Sequence, residues 1–120
     1  MKRTIVLAFI CTLSLVAVVA QDTPKVIEVE QLEDNLFVLR GEGGGGNTAV
    51  FVTTDGVVVV DTKNPEWGQP ILAQINQLTS NPVTTLINTH SHGDHVSGNV
   101  AFSATVEFVA HEVTKSNMEV

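Results

Sequence analysis

Four consecutive valines, Val57–Val60, follow an Asp55-Gly56 turn signal and constrain the fold more than any other stretch of the chain. β-Branched side chains favour an extended backbone. Successive residues of a strand point to opposite faces, so an unbroken valine run reads as a strand buried on both sides. Such a strand needs a sheet with cover on each face, which a half-solvated hairpin does not supply. Asp55-Gly56 ties the run tightly to a preceding strand over residues 48–53.

The neighbouring segments extend this sheet. Residues 26–30 alternate like an edge strand, and Asn35 turns the chain into a second strand over residues 36–39. Five glycines among residues 41–46 predict a mobile connection near the mouth of a site. From Pro65 the period changes. Ile71, Leu72, Ile75 and Leu78 fall on one helical face, and Asn81-Pro82 ends the helix. Residues 84–88 return to a strand. A short helix follows over roughly residues 96–102, then a strand over residues 106–110, and another helix begins at Glu112. Strands first, then strand–helix–strand, specify an α+β arrangement of layers.

The first twenty residues read as a signal peptide. Lys2 and Arg3 precede an apolar run from Ile5 to Val19, and Val18 and Ala20 fit the small-residue positions of a cleavage site before Gln21. The run is shorter than a spanning helix needs and is interrupted by Thr12 and Ser14, so no stable membrane anchor is expected after cleavage. Export to the periplasm or the exterior follows, with residues 21–120 as the working domain. Its charge is strongly negative. The whole chain sets 6 Lys and Arg against 13 Asp and Glu, for −7, and loss of Lys2 and Arg3 leaves 4 against 13, or −9. That balance argues against nucleic acid as a partner and leaves a small-molecule substrate. The one cysteine, Cys11, lies in the leader, so a metal site in the mature domain must be built from histidine and carboxylate.

Thr89-His90-Ser91-His92-Gly93-Asp94-His95 offers such a site directly after an apolar strand. His90 and His92 are two residues apart, so an extended backbone points both imidazoles the same way. Gly93 then lets the chain reverse, leaving Asp94 and His95 aimed at a second point. Two ions sharing a water would suit that spacing, and a nitrogen–oxygen donor set suits Zn²⁺, with Fe or Mn possible. A histidine-rich surface loop is the bland alternative, but the strand-to-loop context speaks against it. The glycine stretch formally satisfies Gly-x-Gly-x-x-Gly, yet a strand rather than a helix follows it, so it is not a dinucleotide site. His111 reads as a helix-start residue, and Trp67 as a packing residue at the start of its helix.

The histidine run resembles the His-x-His-x-Asp-His signature of the metallo-β-lactamase superfamily, and the resemblance extends to Gly43 to Asn47, the valine strand ending at Asp61-Thr62, Ile87-Asn88-Thr89 and Val96-Ser97-Gly98-Asn99. The resemblance implies the N-terminal half of a four-layer αββα sandwich, with the metals at the sheet edge between the layers and the C-terminal half missing. A half-sandwich would expose an apolar face. It further implies His90 and His92 on a first zinc and Asp94 and His95 on a second. Asp94 would also serve catalysis by orienting the nucleophilic water. Asp61 would hold the loop from behind by hydrogen bonding, and Gly98 would permit close packing beneath it. The implied activity is hydrolysis, with a metal-bound hydroxide attacking an ester, lactone, thioester or β-lactam carbonyl. Two rivals stay open: iron-dependent oxidoreduction, which the same motif serves, and a truncated metal-binding fragment without catalysis.

Overall fold

The computed structural model describes residues 23–119. The proposed leader therefore lies outside the described residues. Six strands, β1 (Glu28–Glu33), β2 (Leu36–Arg40), β3 (Thr48–Val52), β4 (Val57–Val60), β5 (Val83–Asn88) and β6 (Glu107–Ala110), form one sheet in sequence order. The first four pair antiparallel through short connections. β5 and β6 then add in parallel, each after a connection that carries helical structure, as parallel pairing requires. β1 is an edge strand, as its alternation predicts, and all six of its residues are exposed.

Helix α1 (Gly68–Leu78) forms on the predicted apolar stripe and buries Ile71 and Ile75. These two pack with Leu39, Val50, Val57, Val59 and Leu86 from one face of the sheet, and with Trp67, Phe102 and Val106 around them. Each fully buried aliphatic side chain contributes on the order of 2 kcal/mol against the entropy of ordering the chain. α1 stops at Leu78, before Asn81-Pro82, with the Thr79 N–H donating to the Ile75 carbonyl at 3.0 Å.

The opposite face is different. By register it carries Val38, Ala49, Phe51, Val58, Val60, Ile87 and Val109. Val58 and Val60 are half-buried, while Phe51 and Val109 are each 42% exposed. The valine run is thus fully covered on the α1 face and only half covered on the other, so the expectation of burial on both sides holds for one. An apolar sheet face open to solvent is what a half-sandwich presents.

Two short helical segments follow β5. Gly93–Val96 forms helix α2, and Ser97–Ala101 continues it as a 3-10 turn that packs on α1. The predicted short helix therefore begins three residues early. Helix α3 (Glu112–Met118) starts where the sequence places it, with His111 at its N-terminus accepting from the Val113 N–H through Nδ1 at 3.2 Å. None of the described helices is long and apolar enough to cross a membrane.

Candidate metal centre

The parallel pairing of β4 and β5 brings the carboxyl ends of both strands to one place, where open α/β sheets commonly bind ligands. β4 ends into Asp61 and β5 into Thr89. The histidine loop accordingly sits beyond the ends of two interior strands and not at a lateral edge of the sheet.

Asp61 is buried, at 4% exposure, and its backbone adopts a left-handed φ of 60°. The carboxylate accepts from the Thr89 N–H at 2.8 Å and from the Thr89 hydroxyl at 2.6 Å. It also meets His95 Nδ1 at 2.8 Å. These contacts assign ring protons. His95 faces Asp61 through Nδ1 at 2.8 Å and Asp94 through Nε2 at 3.4 Å, and the shorter contact marks Nδ1 as the donor. The Thr89 hydroxyl gives its one proton to Asp61, so at 2.9 Å from His90 Nδ1 it acts as acceptor. His90 then also carries its proton on Nδ1 and presents Nε2.

The structure brings the histidines of the motif together. The ring centroids of His90 and His92 are 4.8 Å apart, and those of His90 and His95 are 4.1 Å apart. Asp94 Oδ2 lies 3.4 Å from His95 Nε2. Asp61, His90 and His95 each place a ligand atom within 4.8 Å of the others. Asp61 already accepts from three donors, however, which suits it better to orienting histidines than to binding an ion itself. Gly93 corrects one expectation. It opens helix α2 and is not among the residues with positive φ, so the chain passes through a helical turn instead of reversing at a glycine. The His92 carbonyl accepts from the His95 and Val96 N–H groups at 2.9 and 3.2 Å.

The glycine loop is tethered, contrary to the mobile connection that its composition predicts. Gly44 N–H donates to the Gly41 carbonyl, and Asn64 bonds the Gly44 and Gly43 carbonyls through its backbone and side chain. Gly46 N–H donates to the Asp94 carbonyl at 3.0 Å. A Cβ on Gly45 would fall 2.5 Å from the Asp94 Cβ, and one on Gly46 would enter the His95 ring. Glycine serves close approach here more than flexibility. On the loop's other side, Lys63 Nζ donates to the Gly46 carbonyl at 2.5 Å. Burial, and secondarily the Arg40 guanidinium, push the Lys63 ammonium below the usual lysine range.

A polar network braces the loop from below. The Thr62 N–H donates to the His95 carbonyl at 2.7 Å, and its hydroxyl to Asn99 Oδ1 at 2.7 Å. Asn99 and Asn88 exchange side-chain hydrogen bonds at 2.7 and 3.2 Å. Gly98 lies so close to the Thr62 carbonyl that a Cβ would clash with it.

Residues 41–118 match the family model described as the metallo-beta-lactamase superfamily. The chain belongs to the metallo-β-lactamase superfamily. Solved structures agree on the fold. The chain superimposes on the metallo-β-lactamase from Erythrobacter litoralis with a TM-score of 0.66 at 24% identity, over 78% of this chain and 45% of that one. The Hirschia baltica enzyme gives 0.66 at 23% identity, over 79% and 48%. That from Pontibacter korlensis gives 0.64 at 24% identity, over 74% and 45%. The chain thus spans about half the length of these solved relatives. No curated protein matches it.

Within this superfamily frame the residues fit a metal ion. His90 and His95 set ring nitrogens within 4.8 Å of each other and of the Asp61 carboxylate, while His92 and Asp94 stand beside that group without joining it. His90 and His95 are each held through Nδ1, as metal-ligating histidines are oriented through their second nitrogen. The segments that carry the resemblance include Thr62, Asn88 and Asn99 but assign them no role, and Lys63 stands outside them. For Lys63 the one signal in the sequence is its place two residues after Asp61. Trp67 is buried at the start of α1, as packing predicts, and Phe51 lies on the open sheet face.

Proposed function

We propose that this chain carries the histidine–aspartate portion of a metal-dependent hydrolase site acting on a small-molecule ester, lactone, thioester or β-lactam. The grouping of His90 and His95 with Asp61 at the ends of β4 and β5, with the His92 ring beside His90 and Asp94 beside His95, in a metallo-β-lactamase superfamily chain, supports this reading. His90 and His92 would hold one ion, and Asp94 and His95 a second. When bound, such ions lower the pKa of a water and stabilise negative charge on a carbonyl oxygen. The chain's own residues supply the positioning. Asp61 holds His95 by Nδ1, and Thr89 holds His90 by Nδ1, so each ring presents Nε2. Asp94, 46% exposed, stands where a carboxylate can accept a proton from water and orient it. Zinc is the ion best suited to this donor set, and residues 1–20 would direct the protein out of the cytoplasm as a cleaved leader.

The test is metal analysis of the full chain purified without added metal, followed by hydrolysis assays on esters, thioesters, lactones and β-lactams. Zinc with turnover that His92→Ala abolishes supports the proposal. Iron accompanied by oxygen uptake overturns the hydrolytic reading, and turnover unaffected by His92→Ala overturns the site.

A further inference from the structure

Lys63 is the largest wholly buried side chain among the described residues. Its backbone also sits at φ 67°, in the left-handed region that bulky residues avoid. A buried ammonium and a left-handed backbone both raise the energy of the folded chain. Both fall on one residue, two positions after Asp61 and beside the candidate metal centre. Outliers of this kind gather where the surrounding structure needs a fixed geometry.

What Lys63 fixes is visible in its contacts. Its stem runs beneath Gly44, whose added Cβ would come 3.2 Å from Lys63 Cδ. Its Nζ lies 5.9 Å from the Trp67 ring centroid and bonds the Gly46 carbonyl. Gly46 is held on both sides, since its own N–H holds the Asp94 carbonyl. At Gly46 the loop backbone approaches the His95 ring so closely that only glycine fits. A shift of Gly46 therefore moves Asp94 and His95. Lysine suits the task because a long apolar stem and a charged donor make a stronger bond to a carbonyl than a neutral side chain would.

We propose that Lys63 is a positioning residue that sets Asp94 and His95 by clamping the Gly43–Gly46 backbone through the Gly46 carbonyl. The clamp belongs to the fold, and its effect on an ion rests on the metal-centre reading above.

The experiment compares the wild-type full chain with Lys63→Met, which keeps the stem and removes the donor, and Lys63→Gln, which keeps a shorter donor. Amide hydrogen exchange on the metal-free proteins comes first, then Zn²⁺ affinity by chelator competition. In Lys63→Met the Gly46 amide should exchange at least about tenfold faster, while the Ile71 amide keeps its protection. Lys63→Gln should fall between the two. Zn²⁺ affinity should drop roughly 10- to 100-fold in Lys63→Met, the range for lost support of a metal ligand. Unchanged Gly46 exchange overturns the proposal, and so does an equal loss of protection at Ile71, which would mark a purely structural role. Should Lys63→Met not fold, Lys63→Gln against the wild type decides by the same exchange criterion. A wild-type chain that binds no Zn²⁺ removes the metal-centre reading instead, and the exchange comparison still decides the clamp.

Discussion

His95 Nδ1 lies 2.8 Å from Asp61 Oδ2 although the residues are 34 positions apart, and the same carboxylate holds both donors of Thr89. Asp61 therefore ties the end of β4 to the histidine loop through three hydrogen bonds. Asp61→Ala should leave the Thr89 N–H and the His95 ring without their acceptor. Chelator competition should show a loss of about 10- to 100-fold in Zn²⁺ affinity, and denaturant titration a loss of about 2 kcal/mol in stability. Retained affinity would show that Asp61 does not hold the ligand.

Metal removal should soften the fold. An ion that binds only the folded state stabilises it by mass action, by about 3 kcal/mol at a free concentration 100 times Kd. Thermal melts of the full chain should rise with added Zn²⁺ and fall with EDTA. Coincident melts would count against the centre, whatever the purified protein contains.

Gly98 and Gly93 should respond oppositely to alanine. A Cβ at Gly98 meets the Thr62 carbonyl, a backbone atom that cannot swing aside. Overpacking of this kind costs about 1–3 kcal/mol. Gly93 meets only Ser97 Oγ at 3.3 Å and lies in a helical turn. Gly93→Ala should therefore leave stability within about 1 kcal/mol of wild type or raise it. Urea titrations of the two variants check the contrast, and equal losses would refute the helical assignment of Gly93.

Asn99 receives from Thr62 and Asn88 and donates back to Asn88. Asn99→Ala strands the buried Asn88 amide, and the expected loss is about 1–3 kcal/mol. Removing both members, as in Asn88→Ala with Asn99→Ala, should cost less than the sum of the single losses, because neither amide is then left facing a missing partner. Additive losses in a double-mutant cycle would show that the two side chains act independently.

Much of the fold is legible in the sequence. The apolar spacing of Ile71, Ile75 and Leu78 placed α1, and Asn81-Pro82 placed its end. The valine run and Asp55-Gly56 placed the β3–β4 hairpin, and the helix beginning at Glu112 was located to the residue. These are local signals, carried by periodicity and turn chemistry within a few positions. The candidate ligand residues are conspicuous for a similar reason, since four potential donors stand within six residues of one loop.

Composition misled where long-range contacts outweighed local preference. Five glycines in six residues suggest mobility, yet the loop is tethered by Asn64, Lys63 and Asp94. Gly93 suggested a chain reversal, but hydrogen bonds to the His92 carbonyl make it the first residue of a helix.

The sequence alone determined the element order, the helix stripe, the histidine–aspartate cluster and the absence of thiolate ligands from residues 21–120, because each depends on residue type and near spacing. Tertiary structure alone decided that Asp61 meets His95 and Thr89, that Thr62 and Asn99 brace the loop, and that Lys63 closes on Gly46. Those contacts exist because the parallel register of β4 against β5 sets two strand ends side by side. Register is a property of the assembled sheet, and no residue declares it by itself.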